Sequence, residues 1–452
     1  MEALKPVHRQ AFVLGRNYLL SLGGETLQSG FHFILNLVLI WALTAYEYGI
    51  FAIVLILGGI SLTYGNALVS VPAAVYISKL KSPGAINFQD VVFASFAVAI
   101  SAALAAIVAV GLWLTIGHPA EATAGGALAG LWTLRNHVRV TLFARRAMFL
   151  ATLSDLSYSA SGVTVIAALF WLQSGTPHVT AVLTALTAAN AIAIMVALAN
   201  RGAPIRISFR RSVRNRYRAI WLDIVWSVIG VTTWTIQGQA PMFIVAAIVG
   251  PAAYAPIAAG MVLFNPPRTA LGAFINVVRP EFAAGLMHGR HRQVKLTLFS
   301  SSAIITICCL AFGAAIWLCW DALNAYIYGD KFIDTSMPLI VTLAGLSALI
   351  YLTYHVPLSL VQAARRFKTV AIATTLGGMV GLTAVVILLL FSTVSWSLAG
   401  FAAGEAVCWT YLWIAALRVL GNVAASTQAA STSEHPEPVA IHHGLPASGV
   451  KL

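Results

Sequence analysis

Apolar residues fill this chain in long blocks, broken at intervals by short polar or Pro/Gly-rich joints. A helix crosses a bilayer with about 20 mainly apolar residues. By that measure about twelve spans follow one another. The first half holds 16–43, 49–78, 90–116, 121–144, 152–172 and 179–199; the second holds 219–247, 252–278, 296–319, 336–361, 369–391 and 396–418. The pattern predicts an all-α polytopic membrane protein, with about twelve transmembrane helices in two pseudo-symmetric six-helix bundles. The domains expected are an N-terminal bundle (1–200), a basic linker (201–218), a C-terminal bundle (219–418) and a tail (419–452). The tail, rich in Ser, Thr and Pro, loses the hydrophobic pattern and is expected to be disordered.

Composition agrees: 59% of residues are hydrophobic and 9% charged, against about a quarter charged in soluble domains. The net charge of +13 raises the question of nucleic acid, but a nucleic-acid surface needs a basic stripe on a polar fold. Here the cations sit in clusters between alternate spans, so no nucleic-acid partner is expected. Lys79 and Lys81, Arg135 to Arg146, Arg201 to Arg218, Arg279 to Lys295 and Arg365 to Lys368 fall on one side. Lys331, Glu47, Glu121, Asp321, Asp330 and Asp334 fall on the other. The positive-inside rule makes the first side cytoplasmic, with both termini there. "MEALKPVHRQ" leads into an apolar segment too long for a signal h-region, so the first span is expected to be retained.

Polar residues inside the spans are the candidates for function. Glu25, Gln28, His32 and Asn36 share one face of span one, in line with Ser21 and Asn17. That face cannot meet lipid, since a central acid costs about 2.5–3.5 kcal/mol even on the mildest scale. It either bonds neighbouring helices or lines a polar cavity. Arg135 and Arg139, four residues apart in span four, follow an apolar run too short to cross alone. They either point inward to cavity water or snorkel to the interface. Arg268 lies deep in span eight beside Pro266 and Pro267, which interrupt the backbone ladder. Its planar fork suits phosphate oxygens, and the alternative is a pair with Glu25 or Glu405. Gln237 and Gln239, ahead of Pro241, are candidates for a second-half counterpart of the span-one stripe. Glu405 lies beside Gly400 and Gly404, a small-residue pattern that favours close packing, as do Gly126 with Gly130 and Gly377 with Gly381. Cys308, Cys309, Cys319 and Cys408 lack metal-type spacing. No catalytic set and no phosphate loop is present, so an enzyme, a cofactor or a metal site is not expected.

The halves echo each other in "AYEYGIFAIVLILGG" and "AAYAPIAAGMVLFNPP". Four stretches, "LIWALTAYEYGIFA", "FARRAMFLATLSDLSYS", "VGPAAYAPIAAGMVLFNPPRTALGAFINVVRPEFA" and "YIYGDKFIDTSMPLI", resemble the polysaccharide-transporter branch of the multidrug/oligosaccharidyl-lipid/polysaccharide exporter superfamily. The branch includes O-antigen and exopolysaccharide flippases. The chain departs from that pattern at Trp41, where the family often has Arg, and at Thr44-Ala45, where it has Gly-Pro. The resemblance implies a multi-pass protein of the bacterial inner membrane. It would flip a lipid-linked oligosaccharide on an isoprenoid diphosphate by alternating access, for polysaccharide or lipopolysaccharide biosynthesis. A glycan polymerase and a chain-length regulator are implied partners, besides membrane lipids. Arginines would hold the diphosphate; the span-one stripe would hydrate sugars, pair with the arginines or sense protons. A Na⁺- or H⁺-coupled drug or cation exporter of the same superfamily is the alternative. A membrane glycan polymerase or ligase is a more distant one, disfavoured by the short outer loops.

Overall fold

The computed structural model describes residues 23–24, 26–78, 80, 82–145, 147–172, 178–201 and 206–433, with backbone only at 223, 273, 276, 330 and 423–433. Among them every regular element is a helix. We number them α1 (Thr26–Ala42), α2 (Ala45–Ser78), α3 (Pro83–Ile116), α4 (Pro119–Ala144), α5 (Met148–Leu172), α6 (Val179–Ala199), α7 (Arg211–Ala219), α8 (Trp221–Gly238), α9 (Ala240–Val262), α10 (Asn265–Met287), α11 (His291–Leu318), α12 (Met337–Ala363), α13 (Phe367–Phe391) and α14 (Ser397–Ser433).

By length and apolarity alone, nine helices of the described residues can cross a membrane, or ten with the bent pair in 211–238. The predicted spans that miss that test are still helical. α1 is short among the described residues, α4 carries two arginines, and span eight is divided. Its division begins at Gly250, where φ is 80° and ψ 170° inside α9. Gln239 lies beside Gly59 and Pro251 beside Gly49, so the chain first climbs along α2. Beyond the glycine, Gly260 meets Ile340 and Phe264 meets Gly345, so it descends along α12. Span seven therefore ends at Gly250, where a left-handed backbone is needed and glycine supplies it without strain. Span eight starts at Pro251 and breaks again before α10, whose first turn holds Pro266 and Pro267, where a missing N–H costs no helical bond.

One boundary differs from the expectation. α14 continues to Ser433, so 419–433 is helical where disorder was expected: its Ala-rich sequence extends the last span. Residues 434–452 lie outside those described.

We call the side bearing the α1–α2 and α9 turns the turn face, and the side bearing α7 the basic face. At the turn face the two halves are packed together. The largest buried apolar cluster takes Leu39, Tyr48 and Phe51 from the first half and Tyr254, Tyr328 and Ile340 from the second. Thr44 caps α2 through a capping box with Glu47, which is what Thr44-Ala45 provides in place of Gly-Pro. Lys331 reaches across and donates to the carbonyls of Ile40, Trp41 (3.0 Å) and Leu43, a cation on the negative end of α1. Burial pushes its pKa down, partly offset by Glu47.

A β-carbon on Gly49 would lie 1.9 Å from the carbonyl oxygen of Pro251. Gly49→Ala is therefore expected to force the turn-face contact apart, lowering stability by about 1–3 kcal/mol as overpacking does. The check is thermal unfolding of the detergent-purified protein; an unchanged midpoint would mean that the halves do not bear on each other there.

α13 and α14 cross by the small-residue contact read from sequence. A β-carbon on Gly404 would stand 2.5 Å from the Gly377 carbonyl, and one on Gly400 2.6 Å from the Val385 nitrogen. This close approach fixes Glu405, the next residue, against α12 and α8.

At the basic face, α7 lays Val213 and Tyr217 on the first half while Arg211, Arg214 and Arg218 face outward. Tyr217 stacks on Phe96 with ring centres 3.7 Å apart and donates to the Leu68 carbonyl at 3.0 Å.

Candidate functional site

Among the described residues, each half holds a polar cluster within its apolar helices, built around a buried carboxylate. In the first half that carboxylate is Asp155 on α5, 1% exposed. Arg135 and Arg139, one turn apart on α4, both donate to it: NH1 to Oδ1 at 3.2 Å and Nε to Oδ2 at 2.9 Å. Tyr158, three residues beyond Asp155 on the same face, puts its ring 4.1 Å from the Arg135 guanidinium and its hydroxyl 3.1 Å from His32 Nε2. His32 in turn stacks on Trp132 at 5.8 Å. Helix α1 starts against this group, since a β-carbon on Gly24 would sit 2.9 Å from Asp155 Oδ2.

This geometry corrects the expectation for the arginines. Arg135 is 2% exposed and does not face cavity water. Both guanidiniums are held by one carboxylate, because an unpaired charge at that depth is costly and a paired, hydrogen-bonded one is tolerable. The span-one stripe is divided likewise. Asn36 is buried and donates to the His32 carbonyl of its own helix at 2.8 Å. His32 joins the Asp155 cluster, Gln28 is half-buried, and Glu25 lies outside the described residues.

In the second half the carboxylate is Glu405 on α14, 1% exposed. Gln237 Nε2 on α8 donates to Glu405 Oε2 and to the Tyr354 hydroxyl on α12, both at 3.2 Å. His355 stacks over Tyr354 at 4.9 Å and meets Trp234 edge-on at 5.8 Å; its Nδ1 donates to the Tyr351 carbonyl at 2.7 Å. Arg268 on α10 places its guanidinium 5.2 Å from the centre of the Tyr351 ring. It is absent from the ion pairs of the described residues, so Glu405 does not hold it there; Glu25, the other carboxylate offered, lies outside those residues.

The two carboxylates differ in one respect. Asp155 has both oxygens occupied by arginine, and an unpartnered atom of its cluster is a donor, Arg135 Nε. Glu405 Oε1 is buried without a partner, and so is its neighbour Gln237 Oε1. Buried polar atoms are nearly always satisfied, so a group of orphaned oxygens points to something that comes and goes. The helices around it are broken near the site. Pro241 removes the donor for the Gln237 carbonyl and Pro357 the donor for that of Thr353, and Pro266 and Pro267 precede Arg268. Such breaks at membrane depth are tolerated where protein or water covers them.

The halves meet beside this cluster. Tyr64 on α2 and Thr232 on α8 share a hydrogen bond of 3.0 Å, and Gln239 lies against Gly59.

The sequence reading named Gln237 and Arg268, which the fold places around Glu405. It passed over Asp155 and Tyr158, although the rule applied to Glu25, an acid within a span, applies equally to Asp155. Tyr354 carried no signal of its own.

With the geometry described, comparison with known proteins gives one kind of match. No protein-family model and no curated protein sequence matches the chain. Among solved structures, an inward-facing multidrug resistance MATE family transporter of the MOP superfamily superimposes with a TM-score of 0.66 at 11% identity. That match covers 90% of this chain and 96% of the other. A eukaryotic MATE transporter, AtDTX14, gives 0.59 at 12% identity over 90% and 98%. An outward-facing MATE transporter gives 0.52 at 14% over 92% and 96%. The fold is that of the MATE transporters, with two six-helix lobes.

Proposed function

We propose that the protein is a secondary transporter working by alternating access, which exports an organic solute or drug-like cation in exchange for H⁺ or Na⁺. The observation that carries this reading is Glu405. It is a buried carboxylate at membrane depth with one oxygen unpartnered, beside Gln237 and Tyr354 and next to the contact between the halves. An intramembrane acid in that state suits a monovalent cation that binds and leaves. The packed turn face fits one end state of a rocking cycle in which the other face admits solute. The arginines that argued for an anionic substrate are, in the first half, both bound to Asp155, which offsets one of their two charges.

A second reading, flipping of a lipid-linked oligosaccharide, rests on Arg268, a half-buried cation in no ion pair among the described residues, together with the four stretches that resemble polysaccharide transporters. One experiment separates the two. Proteoliposomes are given a pH or sodium gradient, and movement of a fluorescent cationic dye and of a fluorescent diphosphate-linked oligosaccharide is followed. The coupled-exporter reading predicts gradient-dependent dye movement and none of the lipid. Lipid movement without dye movement would replace it with the flippase reading.

Arg268→Ala sharpens this distinction. On the exporter reading it leaves dye affinity within about threefold, since no charge pair is lost. On the flippase reading it removes a charge-assisted phosphate contact and lowers lipid affinity by tenfold or more. Binding measured by fluorescence titration decides.

A further inference from the structure

A cavity of about 760 Å³ opens at the basic face of the first half, between the ends of α2, α3, α4, α5 and α6. It is separate from both polar clusters. One wall is apolar, formed by Ile77, Leu142 and Leu150; the other carries Arg145, Arg201 and Asn87.

The cationic wall is organised. Asp90 Oδ2 accepts from Arg145 at 2.6 Å and from Arg201, and Arg145 NH2 also donates to Asn87 Oδ1 at 2.8 Å. Two guanidiniums share one carboxylate, so the wall keeps a net positive charge. Arg201 is 7% exposed, yet its Nε has no hydrogen-bond partner, and neither has Asp90 Oδ1. Arg145 stays 20% exposed at the mouth. The α7 helix lies next to this wall: Arg216 donates to Gln89 on α3 at 2.7–2.8 Å once that amide is oriented to accept, and Arg210, Arg211, Arg214 and Arg218 face outward.

We propose that this cavity is a binding site for the phosphate of an anionic phospholipid, with the head group against Arg145 and Arg201 and the acyl chains along Ile77, Leu142 and Leu150. A free phosphate would use the same cations, but it would leave the apolar wall without a role. The wall's position at the ends of the spans matches the depth at which lipid phosphates lie. Basic pockets between helix ends at the membrane surface take anionic head groups for this reason, and a neighbouring basic helix raises their local concentration. The site is independent of the transport reading and stands whether or not Glu405 carries an ion.

The test uses the full chain in detergent micelles, titrated with phosphatidylglycerol, with phosphatidylcholine of the same chains, or with inorganic phosphate. Binding is read by native mass spectrometry and by the melting temperature. Phosphatidylglycerol should bind and raise the melting temperature, and the other two should not. Arg145→Gln, which leaves Arg201 paired with Asp90, should weaken phosphatidylglycerol binding about tenfold or more, the effect of losing one charge-assisted contact. Leu150→Trp, which fills the apolar side without touching the charges, should weaken it comparably. Both variants should melt within a few degrees of wild type in the absence of lipid. Equal binding of phosphatidylglycerol by wild type and both variants would overturn the proposal. Inorganic phosphate competing as well as the lipid would overturn its lipid part.

Discussion

Glu405→Gln is expected to abolish gradient-driven transport while leaving the protein folded and able to bind its solute. The substitution keeps the size and hydrogen bonding of the side chain, so Gln237 retains an acceptor and the Gly377/Gly404 contact is untouched. What disappears is the ability to hold a cation at Oε1. Linked sites typically influence each other by about 1–3 kcal/mol, or 5- to 150-fold in affinity. In wild type, solute affinity should change within that range when the coupling ion is varied; in the variant it should not change. Isothermal titration of solute at several pH values and sodium concentrations checks this. A variant with the same ion dependence as wild type would place the coupling ion elsewhere.

The largest effect on stability is expected at Asp155. Replacing it with Ala leaves Arg135 and Arg139 buried against Tyr158 and Phe143 without a counter-charge. Breaking a buried ion pair from one side costs about 3–5 kcal/mol, a large part of an ordinary stability of about 5–15 kcal/mol. Removing the whole group is a different matter: Asp155→Leu with Arg135→Met and Arg139→Met replaces three desolvated charges by apolar volume. Such replacements are often neutral or stabilising by about 1–4 kcal/mol. The expected order of melting temperatures therefore has the single variant lowest and the triple variant near wild type. If Asp155→Ala melts like wild type, the arginines are not held as described. If the triple variant folds but no longer moves the solute, they contact it directly, and their structural role is not their main one.

Fold class was legible because hydrophobic run length is a strong signal in a membrane, where a backbone without internal hydrogen bonds cannot be exposed to lipid. The joints were legible for local reasons. Gly250-Pro251 and Thr44-Ala45 each stop one helix and start another, the first by left-handed backbone and the second by side-chain capping. The Gly400/Gly404 and Gly377/Gly381 patterns could be read as packing stripes because only small residues let two helix backbones approach closely; that the two stripes face each other is a tertiary fact.

The candidate site was legible only in part, because a polar residue in a span shows that it avoids lipid and not which neighbour it meets. Arg135 and Arg139 were seen as a pair on one face, but their partner, Asp155, lies on the next helix and is reached only through tertiary packing. Gln237 and Glu405 are far apart in sequence, and nothing local marks them as hydrogen-bonded. Lys331 was noticed for being a cation on the acidic side. Its position on three carbonyls of the first half follows from the closure of the turn face, which no periodicity encodes.

The central claim is that Glu405 exchanges a cation in step with solute binding. Its most direct test is to measure protons or sodium ions released when solute is added to purified protein in weakly buffered solution, with Glu405→Gln as the reference. The account predicts about one monovalent cation released per solute bound by wild type, by analogy with linked binding at a single site, and none by the variant. Equal release from both, or none from a wild type that binds its solute, would contradict it.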